Sequence, residues 1–139
     1  MVERIDFYIL PTAEPIGFTC RLLEKAFKEK HRVYVQTPSR AEAEKLNASL
    51  WTFKDISFIP HRLHYETAQP AAPITIGDMD GNPAAADMLV VLAAQPPENY
   101  QDYQRVAIVV PNDEKQKAQA RKFYKNLNTE KLDVQVHNL

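Results

Sequence analysis

Two uninterrupted apolar runs, residues 88–93 and 106–110, constrain the fold of this chain more than any other feature. Each suits a strand buried on both faces, and such strands belong to sheets covered by helices on both sides. The period of apolar residues switches repeatedly around them. Ile5, Phe7 and Ile9 alternate with Asp6 and Tyr8, which predicts a strand over 4–10, ended by Pro11 and Pro15. Ile16, Cys20, Leu23 and Phe27 then fall on one helical face, with Arg21, Glu24, Lys25, Lys28 and Glu29 on the other, which predicts a helix over 15–31. Val33 and Val35 mark a short strand over 32–36. Ser39 and Glu42 have capping-box spacing, and Ala43, Leu46 and Leu50 continue a helix to about Trp51. Pro60 and residues 69–73 read as irregular chain, 74–76 as a brief strand, and 77–83 as a turn. A short helix is expected over 97–103, and a longer one from a cap at Asn112 or Asp113 to about Asn126. Leu132, Val134 and Val136 alternate with Asp133, Gln135 and His137, the pattern of a half-exposed final strand. This alternation predicts an α/β fold: a single three-layer domain over residues 1–139, with an open, mostly parallel sheet and helices on both faces. There is no internal repeat, low-complexity tract or linker.

Composition removes several functional classes. With 45% hydrophobic and 25% charged residues, the chain can bury a sizeable core, so disorder is not expected as its main state. Seventeen basic residues stand against 18 acidic ones, for a net charge of −1. A protein that grips nucleic acid by itself usually has a clear basic excess, so strong direct nucleic-acid binding is not expected. The only glycines are Gly17, Gly77 and Gly81, and neither G-x-x-x-x-G-K-[ST] nor G-x-G-x-x-G occurs. Ordinary nucleotide cofactors are therefore disfavoured, and no cofactor is expected. Cys20 is the single cysteine, which excludes an internal disulfide and fits a reducing cytosol. No apolar run approaches the roughly 20 residues of a membrane-spanning helix. The start carries Glu3 and runs into a strand pattern, so no signal peptide is expected.

The helix after Pro111 is the most informative segment. Lys115, Lys117, Arg121, Lys122 and Lys125 put five cations in eleven residues with no acid among them. Lys117, Arg121 and Lys125 share one stripe, Tyr124 borders it, and Ala120, Phe123 and Leu127 lie toward the core. Like charges at i, i+4 repel, so such a stripe is either a solvated face or one shaped for an acidic ligand. Trp51, at the end of the second helix, and Phe58, in the loop-like segment 57–60, are large aromatics suited to either a core or a protein interface. Asp78-Met79-Asp80-Gly81 is either an acidic turn or, as an alternative function, the paired carboxylates of a small aspartate-dependent phosphohydrolase. His61 and His64 are close in sequence, but a metal needs three or four ligands, His31 and His137 are distant and Cys20 is on a helix face that reads as core, so no metal site is expected. No Ser or Cys stands in a nucleophile motif.

The order and spacing of several pieces resemble the chi subunits of bacterial DNA polymerase III holoenzyme over essentially the whole chain. They are Asp6-Phe7-Tyr8-Ile9-Leu10, Leu50-Trp51 followed by Ser57-Phe58-Ile59-Pro60-His61, Asp87-Met88-Leu89-Val90-Val91-Leu92, and Val110-Pro111 with Ala120-Arg121-Lys122-Phe123-Tyr124-Lys125. The resemblance implies a noncatalytic, cytoplasmic subunit of the clamp-loader assembly. It implies pairing with the psi subunit, which tethers chi to the clamp loader. It also implies capture of the acidic, Phe-ended C-terminal tail of the single-stranded-DNA-binding protein. The tail site carries over to Lys117, Arg121, Tyr124 and Lys125, with Val110 as pocket wall, and the psi site to Trp51 and Phe58.

Overall fold

The computed structural model describes residues 2–52, 60–63, 72–78, 86–92, 98–127 and 132–139. In chain order the elements are β1 (Arg4–Ile9), α1 (Ile16–Lys28), β2 (Val33–Gln36), α2 (Arg40–Thr52), β3 (His61–Leu63) and β4 (Ile74–Gly77). They continue with β5 (Met88–Val91), a 3-10 segment (Glu98–Asp102), β6 (Arg105–Val110), α3 (Glu114–Lys125) and β7 (Asp133–Asn138). The strands form one sheet in the order β3-β4-β2-β5-β6-β1-β7, and every described pairing is parallel. The α/β architecture with a parallel sheet is as the sequence predicts.

The two apolar runs become β5 and β6, side by side in the middle of the sheet and buried on both faces. Alternation sorts their side chains. Val90, Ala107 and Val109 pack with Val33 and Val35 under Cys20, Leu23 and Ala26 of α1 and Ala43, Leu46 and Leu50 of α2. Leu89, Val91, Val106, Ile108 and Val110 face the other way, with Ile5, Phe7, Tyr34, Tyr103 and Ala120 of α3. Each fully buried Leu or Ile contributes about 1.5–3 kcal/mol relative to an exposed one, and these layers hold the sheet between its helices. Cys20 lies within the first layer, where burial pushes its thiol up to about 11, so it is a packing residue rather than a nucleophile.

Two boundaries differ from expectation. The first helix stops at Lys28 because Lys30 turns left-handed at φ 68°. His31 N–H then donates to Ala26 O at 3.0 Å and Lys30 N–H to Phe27 O at 2.9 Å, a Schellman closure built without glycine. The second difference is β3, which falls where irregular chain was expected. It has only three residues, too few to display a period. At α2, Glu42 N–H donates to Ser39 Oγ at 3.2 Å, which is the serine half of the expected capping box, and at α3 Asp113 rather than Asn112 is the cap, accepting from Gln116 N–H at 3.0 Å.

Candidate functional site

The Asp113 cap starts α3 immediately after β6 and aims it across the outer strands. Glu114 in the first turn and Lys122 and Lys125 in the last turn suit the helix dipole. Ala120, Phe123 and Leu127 turn inward onto the second core layer. The neighbouring stripe of α3 stands over β1 and β7 and leaves an open cleft of about 550 Å³. Phe7 and Ile9 of β1 and Val136 and Asn138 of β7 line it on the sheet side. Lys117, Ala120, Arg121, Tyr124 and Lys125 line it on the helix side. The Tyr124 ring meets the Phe7 ring edge-on, with centroids 5.7 Å apart and planes at 71°. The result is an apolar trough with the volume to hold an aromatic side chain, with cations along one rim.

Those cations have no counterions within the described protein. Arg4, Lys28, Arg40 and Arg105 each pair with a carboxylate. Among the described residues, Lys115, Lys117, Arg121, Lys122 and Lys125 form no ion pair and no side-chain hydrogen bond. A carboxylate brought to this rim would gain charge-assisted hydrogen bonds, bidentate at Arg121, without displacing an internal partner.

Four of the five residues carried over for the tail therefore share one cleft. Val110 does not line it: it is buried one strand inward on β6, and its register partner Ile9 on β1 is the one at the cleft. Phe7, Ile9, Val136 and Asn138 were not singled out from sequence. Their alternation puts them on one face of their strands, but only the adjacency of β1 and β7 brings them together. Trp51 lies at the C-terminal end of α2, 56% exposed, with its ring centroid 4.3 Å from that of His61. Phe58 lies outside the described residues, as do Asp80 and His64. Asp78 is exposed at the end of β4.

A polar cluster that sequence reasoning missed occupies the opposite face of the same strands. Asp6 is only 1% exposed. Its carboxylate accepts from Arg4 (Nη2 at 3.0 Å), from His137 Nε2 at 2.9 Å and from Arg105 Nη2 at 3.4 Å. Burial pushes the Asp6 carboxyl up, but the hydrogen bonds from Arg4 and His137 and the charges of Arg4 and Arg105 outweigh it and hold the group below its ordinary value. Arg105 Nη1 lies 3.3 Å from His31 Nε2, and His31 Nδ1 lies 2.7 Å from Asp87 Oδ2. Asp87 also accepts from Arg32 N–H at 2.6 Å. The signal in the sequence was an acid in the middle of an alternating strand, but nothing local showed that its side would be buried.

Comparison with known proteins gives one consistent result. Residues 2–135 match the family model described as DNA polymerase III chi subunit, HolC. A protein of Pseudomonas aeruginosa named DNA polymerase III subunit chi is 31% identical over 141 residues, covering 99% of this chain and 98% of the relative. Its namesake in Haemophilus influenzae is 28% identical over 145 residues, covering 100% and 99%.

Proposed function

The chain belongs to the family of DNA polymerase III chi subunits, and from that premise we propose that it is a noncatalytic adaptor. It joins the psi subunit, and through psi the clamp loader, to the acidic C-terminal tail of the single-stranded-DNA-binding protein. It works in the cytoplasm at replication forks, without a cofactor and without strong nucleic-acid binding of its own. The observation that carries this reading is the basic stripe, without counterions among the described residues, along the rim of an apolar cleft. A tail that ends in Phe offers one ring for the trough and several carboxylates, the terminal one included, for Lys117, Arg121 and Lys125. Lys115 and Lys122 add longer-range attraction.

The relative position of the two candidate surfaces supports an adaptor. The cleft is at the β7 edge under α3, and Trp51 is near the β3 edge on α2, whose core residues lie on the other face of the sheet. Six strand spacings of about 4.8 Å separate those edges, roughly 29 Å, so two partners can bind without colliding. An exposed Trp is the kind of anchor that carries much of an interface's energy. Size-exclusion chromatography of this chain with psi and the binding protein tests the reading. All three should co-elute, and a binding protein lacking its tail should drop out while psi stays. Trp51→Ala should weaken psi binding by about 2 kcal/mol and leave tail binding intact. Loss of both partners by one substitution would contradict two separate surfaces.

A further inference from the structure

We infer that Asp6 and His137 are positioning residues for the cleft, which hold its outer wall in place from the opposite face of the sheet. The inference rests on the tail reading above. In a strand, neighbouring side chains point to opposite faces. Val136 and Asn138 line the cleft, so His137 between them points away from it. Phe7 and Ile9 line the cleft, so Asp6 and Tyr8 share the far face with His137.

There the contacts are specific. Among the described residues β7 pairs only with β1, and apart from that ladder and the packing of Val134 its side chains are mostly exposed, so a side-chain tie adds to a lightly packed edge. The His137 ring stacks on the Tyr8 ring, with centroids 4.7 Å apart and planes at 12°. An ionised carboxylate only accepts hydrogen bonds, so His137 Nε2 carries the proton shared with Asp6 at 2.9 Å. Asp6 is itself anchored. Arg4 holds it from its own strand, and Arg105 holds it from β6. The Asp6–His137 bond thus ties the edge strand to β1 and, through Arg105, to β6, at the residue between two that shape the cleft. Supports of this kind keep a binding constellation in register.

The test compares His137→Leu with His137→Gln. The Gln amide can donate to Asp6 from near the place of Nε2, and Leu cannot. The probe is a synthetic peptide of aspartates ending in phenylalanine, titrated by isothermal calorimetry against the full chain. His137→Leu should weaken binding about five-fold, and His137→Gln should restore most of it. A second readout does not need the peptide: the Leu139 amide, which donates to Ile9 O at 3.0 Å, should exchange with solvent faster in the Leu variant than in the Gln variant. Equal affinity in wild type and His137→Leu overturns the inference, and so does equal weakening by Leu and Gln. If the wild type binds no peptide, the tail reading fails. The exchange comparison then decides whether the strand is tied at all.

Discussion

Arg121 and Lys117 stand four residues apart on one stripe, and their chemistry separates them. A guanidinium meets a carboxylate with two parallel hydrogen bonds, whereas an ammonium acts as a point charge. Arg121→Ala should therefore cost about 1.5–3 kcal/mol in tail binding and Lys117→Ala about 1 kcal/mol or less, as measured by calorimetry with the acidic peptide. At the same scale, Asp6 makes acid a specific threat to the fold. Its folded-state value lies below the ordinary 3.8, so its contribution is present above that value and is lost as pH falls through the folded one. For Asp87, burial pushes the carboxyl up, but hydrogen bonds from His31 and Arg32 N–H bring it below the ordinary value, so it acts in the same direction. Asp6→Asn should lower stability by about 1.5–3 kcal/mol at neutral pH and flatten the loss between about pH 5 and 2, with the Asp87 share remaining. Urea unfolding across that range checks both. The stripe on α3 was legible because helical spacing is a local property. The burial of Asp6 was not, since Arg4, Arg105 and His137 reach it from three different strands.

Elements were legible where a local period ran long enough. The five-residue apolar core of β6 and the capped, amphipathic α3 follow directly from their sequences. The three-residue β3 does not, because it exists by pairing with β4. The end of α1 was overrun because its left-handed closing residue is Lys30 rather than glycine. That substitution for the usual residue carries a cost, since a side chain in the left-handed region is strained. Lys30→Gly should raise stability by about 0.5–1 kcal/mol, the relief of strain exceeding the extra freedom of the unfolded chain. An unchanged or lowered urea midpoint would show that the turn is not strained.

Across the whole molecule, the parallel order of strands turns separate local signals into a site. Phe7 and Val136 are far apart in sequence, and only the β1–β7 pairing makes them two sides of one trough. The same order explains why Val110, carried over as a wall, sits one strand inward with Ile9 at the surface. The cleft combines two kinds of binding energy that respond differently to salt. Rim charges are screened within about 10 Å at 0.1 M ionic strength, while burial of a ring is not. The most direct measurement is a residue-by-residue NMR titration with a short acidic peptide ending in Phe, alongside the same peptide without its last residue, at low and high salt. Shifts should centre on Phe7, Ile9, Arg121, Tyr124 and Val136. Salt should weaken binding without abolishing it, and affinity should largely disappear with the terminal Phe. If the shortened peptide binds as tightly as the full one, α3 is only a basic surface and the cleft captures nothing.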